Sequence, residues 1–167
     1  MKKLGLDAST TTVGYAFVDG SEVIDLGFIP IQKEKNIRDK VQLTIDNLTQ
    51  IDPFNTIDKI YIEDNLSGFM RGRTSQQTII KLAKFNAVLV YCLEYAYGEI
   101  VHGVNPMTAR KHLFGKARKQ GVTAKDFVKK EINCLYNLEE YVKLTKTGLW
   151  DKRNMDAYDA LVCALYE

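Results

Sequence analysis

Four carboxylates are distributed along this chain in a way that invites a chemical explanation. Residues 3–7, Lys-Leu-Gly-Leu-Asp, read as an apolar strand ending in Asp7, and residues 59–63, Lys-Ile-Tyr-Ile-Glu, as a later strand ending in Glu63. Residues 154–167 read as a helix carrying Asp156 and Asp159. Acids at the ends of two strands and on one closing helix can converge on a divalent cation. Mg²⁺ and Mn²⁺ are hard ions that favour carboxylate oxygen. A pair of them can activate water and stabilise the leaving oxygen of an in-line displacement, so the chemistry indicated is phosphodiester hydrolysis.

Each acid also has a plainer explanation. Asp7 precedes Ala8-Ser9-Thr10-Thr11-Thr12, and taken alone it is equally well explained as an Asx-type turn residue. Glu63 is harder to dismiss, because glutamate favours neither strands nor turns, and adjacent Asp64 repels it unless a cation compensates. Alternation along a strand directs Asp64 to the opposite face. Asp156 falls in the first turn of its helix, where the dipole favours an acid. Asp159 has Asp156, Met155, Val162 and Cys163 at three and four positions, none cationic, within a largely apolar helix. An unpartnered acid there is costly, so a metal or a basic group from elsewhere is required.

The elements that must position these acids follow from periodicity. Residues 3–6, 13–18 and 23–31 read as three antiparallel strands, with Asp19-Gly20 turning between the second and third. Ile37, Val41, Ile45 and Leu48 recur at helical spacing, with Pro53 closing that helix shortly downstream. Residues 57–62 return as a fourth strand, 75–97 as a long helix and 100–104 as a fifth strand stopping before Pro106. This order predicts an α/β fold, a five-stranded mixed sheet with three antiparallel and then two parallel strands, covered by helices on both faces. The 167 residues form one expected domain. Residues 87–93, Ala-Val-Leu-Val-Tyr-Cys-Leu, are apolar on every side, which predicts burial by the rest of the domain or by a second copy.

Net charge is only +2, but it is unevenly spread. Residues 110–153 hold twelve basic residues against five acidic ones, a net +7. Such a surface attracts phosphates towards an acidic metal site, although a solvated helical face has the same composition. Between residues 65 and 75, Gly68-Phe69-Met70-Arg71-Gly72-Arg73 read as a substrate-touching loop, with Phe69 either stacking on an unpaired base or folding back into the core, and Arg71 and Arg73 holding phosphates. Cys92, Cys134 and Cys163 lack paired spacing, which predicts neither disulfides nor zinc and fits a reducing cytoplasm. His102 and His112 have no partner at ligand spacing. No segment approaches membrane-spanning length, so no membrane partner is expected.

The motifs Leu4-Gly5-Leu6-Asp7-Ala8-Ser9 with Gly14, Ile62-Glu63-Asp64, and Asn154-Met155-Asp156-Ala157-Tyr158-Asp159-Ala160-Leu161 together resemble the RuvC-type Holliday-junction resolvases of the ribonuclease-H-like nucleases. The likeness runs over almost the whole chain in order and spacing, and Asp-Ala-x-Asp-Ala-Leu is its most specific part. It implies a ribonuclease-H-like sheet, a homodimer and metal-dependent paired cuts in branched DNA that leave 5′-phosphate and 3′-hydroxyl ends. It also implies that Asp7, Glu63, Asp156 and Asp159 hold two Mg²⁺ or Mn²⁺ ions per active site. Arg110 or Lys111, together with Lys125, resemble the family's DNA-contacting positions. Lys116 and Arg118 in the same basic stretch are further candidates for DNA contact. Ala8-Ser9 replaces the usual Pro-Gly after the first acid, and Asp64 replaces a glutamine after the second. These departures suggest a divergent branch, such as a bacteriophage version, acting on forks, flaps and three-way junctions as well as four-way ones.

Two other classes compete. Residues 5–14 also resemble the first phosphate-binding turn of actin-like and sugar-kinase ATPases, but those need two such domains, and Asp156 and Asp159 would go unexplained. A branched-DNA-binding module without catalysis would lack one of the four acids, and none is missing.

Overall fold

The computed structural model describes residues 1–52, 56–64 and 75–166. Strands β1 (Lys2–Ala8), β2 (Thr12–Asp19) and β3 (Glu22–Pro30) form an antiparallel meander. Helix α1 (Ile37–Ile51) leads to β4 (Lys59–Glu63), then α2 (Gln76–Tyr97) to β5 (Val101–Val104). Helices α3 (Pro106–Phe114), α4 (Ala124–Leu135) and α5 (Asn154–Ala164) complete the chain. The sheet order is β3-β2-β1-β4-β5, with β4 and β5 parallel to β1. The expected mixed sheet is therefore present, and β1 lies at its centre.

The boundaries have local causes. Gly20 has φ of 61° at the β2–β3 turn, a conformation in which a side chain is strained. Asn36, Ser75, Asn105 and Thr123 each cap a helix by accepting from a backbone N–H of its first turn. Pro106 follows its cap directly, where its missing N–H has no consequence. The last helix ends at Ala164, short of the expected 167.

Strand alternation divides the core into two layers. Leu4, Leu6, Val13, Tyr15, Phe17, Ile60 and Ile62 face α1 and α2, where Val41, Leu48, Phe85, Leu89 and Leu93 are buried. Ala16, Val18, Leu26 and Tyr61 face the other way and pack on α5 with support from α3 and α4. The domain by itself covers helix α2 on one side, so of the two expected ways of burying it the second copy is the one left for the other side. Leu89 and Leu93 are buried, whereas Val88, Tyr91 and Tyr95 are exposed, because α1 and the sheet cover only one side of it. Among the described residues, no helix is long and apolar enough to cross a membrane.

Candidate active site

The period of two along β1 sends Leu4, Leu6 and Ala8 into the α1/α2 layer and Gly5 and Asp7 to the opposite face. The same rule places Glu63 with Tyr61 on that face of β4, and the parallel register Leu6↔Ile62 sets Asp7 and Glu63 side by side at the next rung. Helix α5 lies directly on the sheet here. A Cβ on Gly5 would sit 2.1 Å from the carbonyl oxygen of Ala160, and one on Gly14 would sit 2.0 Å from that of Asp156. Since Gly14 pairs with Asp7 across β1 and β2, the two glycines fix how closely the acidic helix approaches the acidic strand.

Asp7, Glu63 and Asp159 consequently offer carboxylate oxygens that lie within 4.8 Å of one another. They come from three elements separated widely in sequence. Asp156, one turn earlier, lies outside that set but remains near enough to raise the charge cost at Glu63. Asp64 does not simply turn away from Glu63: beyond the end of β4 its backbone N–H donates to the Val104 carbonyl at 2.8 Å, and it lines the same cleft.

Arg110 supplies the basic group missing from the neighbourhood of Asp159. Its Nη2 donates to Asp159 Oδ1 at 3.0 Å, and both side chains are largely buried. Its Nε is buried and has no hydrogen-bond partner among the described residues. Burial and repulsion from Asp159 push Glu63 up to about 7, against the opposing pull of Arg110. Burial pushes Asp156 up to about 6, with Lys125 opposing and Asp159 adding. Asp159 is also raised by burial, with Arg110 opposing. Cys163 borders the cluster, and burial together with Glu63, Asp7 and Asp159 keeps its thiol neutral. The ligand set is thus all oxygen. Crowded, desolvated carboxylates with raised proton affinity fit a hard divalent cation, which would relieve the repulsion that protons otherwise relieve. The acids open onto a cleft of about 460 Å³, which Ser9, Pro106, Arg110 and Lys125 also line.

No protein-family model matches the chain. Two curated proteins that match it are named crossover junction endodeoxyribonuclease RuvC. The one from Campylobacter hominis is 27% identical over 134 residues, covering 78% of this chain and 80% of that protein. The one from Aliarcobacter butzleri is 25% identical over 169 residues, covering 99% and 96%. The chain is similar in sequence to proteins of the RuvC type along most of its length. The fold agrees: Thermus thermophilus RuvC superposes with a TM-score of 0.69 at 14% identity, covering 99% of this chain and 92% of that one. The same protein in complex with a Holliday junction substrate gives 0.68 at 16% identity, covering 99% and 91%.

On this RuvC-type frame the basic candidates separate. Arg110 and Lys125 line the acidic cleft. Lys111, the alternative to Arg110, is exposed on α3 and does not line the cleft. Lys116 lies 4.0 Å from Glu131 and over the Phe127 ring, and Arg118 Nη2 lies 3.5 Å from Met107 Sδ. Neither lines the cleft. Phe69, Arg71 and Arg73 fall outside the described residues. Trp150 packs edge-on against Tyr158 with Lys129 Nζ 4.0 Å from its ring centre. Sequence reasoning missed the pairing of Arg110 with Asp159. Its one signal was the requirement for a cation at Asp159, and 49 positions separate the two residues.

Proposed function

We propose that this chain is a metal-dependent endonuclease that resolves Holliday junctions and related branched DNA, forks, flaps and three-way junctions included. Paired phosphodiester hydrolysis would leave 5′-phosphate and 3′-hydroxyl ends. The observation carrying this reading is the convergence of Asp7, Glu63 and Asp159 within 4.8 Å, flanked by Arg110 and Lys125 in a RuvC-type relative. In this reading Asp7, on the central strand, stands between Glu63 on one side and the α5 acids on the other. These four acids would hold two Mg²⁺ or Mn²⁺ ions. When bound, the ions would supply an activated water and stabilise the leaving oxygen.

The chain's own groups have separable tasks. Lys125 and the Arg110 guanidinium, both lining the cleft, offer positive charge to an entering phosphate. The Arg110–Asp159 pair holds Asp159 in place. The glycine seat of α5 keeps the acids from separating. Cutting two opposed strands requires two symmetry-related sites, and a two-fold dimer supplies them. The exposed stripe of α2, with Ile80 53%, Val88 40%, Tyr91 69% and Tyr95 85% accessible, is the surface proposed for that contact.

Incubating end-labelled four-way, three-way and fork DNA with the protein, in Mg²⁺ and in chelator, tests the function. Metal-dependent cuts at symmetric positions near the crossover are expected. Intact junctions in Mg²⁺ or Mn²⁺, at protein concentrations that saturate binding, would overturn the reading.

A further inference from the structure

Residues 143–151, between α4 and the acidic helix, fold into a small hairpin that the acids do not explain. Leu144 and Trp150 pair across it, the Thr145 N–H donates to the Leu149 carbonyl at 2.7 Å, and the Gly148 N–H closes the tip on Thr145 at 2.9 Å. Gly148 turns with φ of 78°. The base is fixed to α5: the Lys143 N–H donates to Asn154 Oδ1 at 3.1 Å, and Asn154 Nδ2 donates to the Lys143 carbonyl at 2.8 Å. Trp150 anchors the other strand against Tyr158. The backbone of this element is therefore tied to α5 at Asn154, two residues before Asp156.

What the hairpin presents is unusual for a solvated turn. Leu144 and Leu149 flank the tip at 61% and 68% accessible, and Lys146 and Lys152 are exposed beside them. Single exposed leucines are ordinary, but here two sit on a pinned, net-basic element. At its base, Lys143 Nζ and the Arg153 guanidinium both lie over the Phe28 ring, at 4.8 and 4.6 Å from its centre. The register places this spot relative to the acids. Asp7 pairs with Gly14 and Gly14 with Phe28, so the backbone of Phe28 lies two strand spacings from that of Asp7, about 10 Å.

We propose that the hairpin of residues 143–151, with the adjoining Lys152, grips one duplex arm of branched DNA. This rests on the functional reading above and names a surface that serves it. Lys146 and Lys152 hold phosphates, and Leu144 and Leu149 contact bases or sugars exposed where stacking is interrupted at the branch. Charge complementarity decides the partner: Arg153 is paired with Asp151, while Lys146 and Lys152 are exposed, and apolar wedges flanked by cations are a known device for distorted DNA.

The two kinds of side chain predict different losses. Binding of a four-way junction and of plain duplex is measured by fluorescence anisotropy without divalent metal, over a salt series, for the unaltered chain, Lys146→Ser/Lys152→Ser and Leu144→Ser/Leu149→Ser. Thermal melts verify folding. The lysine variant is expected to weaken both DNAs and flatten the log-affinity against log-salt slope by about 2, one for each lost phosphate contact. The leucine variant is expected to weaken junction binding about tenfold, within the range of one or two lost base contacts, and to leave duplex binding unchanged. Variants that melt normally and bind both DNAs like the unaltered chain would overturn the proposal while leaving the functional reading standing. Failure of the unaltered chain to bind any branched DNA would overturn both.

Discussion

Glu63 shows most clearly how a single residue records what the site is for. A carboxyl pushed up to about 7 by burial and by Asp159 costs the metal-free fold stability whenever it is ionised. The folded state holds its proton to higher pH than the unfolded state, so across roughly pH 4.5 to 7 folding binds a proton and stability declines as pH rises. The penalty is absent below that window and complete above it. Glu63→Gln removes this titration, and relative to the unaltered chain it is expected to gain about 2 to 3 kcal/mol between pH 4.5 and pH 7.5. Denaturant unfolding of both proteins in chelator at the two pH values checks it; parallel pH profiles would show that Glu63 is not held in a strained, proton-demanding cluster. The need for compensation at these acids was legible in the sequence, because Asp159 lay on an apolar helix without a cation nearby. The identity of the compensating group was not, since it depends on where α3 folds back over α5 to deliver Arg110.

At the scale of elements, the site depends on how closely α5 can approach the sheet. Gly14 makes a direct prediction, because a methyl there would meet the Asp156 carbonyl oxygen at 2.0 Å. Gly14→Ala must displace the acidic helix from β2, and a loss of roughly 3 kcal/mol or more is expected, together with lost cleavage. Gly103→Ala, on β5 with nothing within 4 Å of its added carbon, is the control and should melt close to the unaltered chain. Equal melting temperatures for the two variants would contradict the close-packed seat. The strands and the first two helices were readable in advance, because alternation and helical spacing are local signals and the Asp19-Gly20 turn and Pro106 carry theirs within a few residues; the caps Asn36, Ser75, Asn105 and Thr123 and the bounds of α3 and α4 were not read from the sequence. The small hairpin before α5 was not readable. Its strands pair through a single bridge, and its attachment comes from Asn154 and Trp150 contacting other elements.

For the whole molecule, the paired cutting proposed above requires two coordinated clefts. The all-round apolar run on α2 was legible as sequence, but a periodicity cannot say whether the domain or a second copy covers each side. The structure leaves Val88, Tyr91 and Tyr95 exposed. If this stripe forms the two-fold contact, light scattering should give a dimer mass at micromolar concentration, and Tyr91→Glu should give a monomer mass by burying an unpaired charge. The variant should fold normally and lose paired cutting of four-way junctions. A monomeric unaltered chain that still makes paired cuts would exclude this assembly. The central claim is that Asp7, Glu63 and Asp159 together hold the metal that cuts branched DNA. Its most direct test is Mn²⁺ binding by calorimetry, set beside single-turnover junction cleavage, for the unaltered chain and for Asp7→Asn, Glu63→Gln and Asp159→Asn. The account predicts that each variant folds, binds junctions, and loses metal affinity and cleavage together; a folded variant that cuts at the unaltered rate, or an unaltered chain that cuts equally well in chelator, would contradict it.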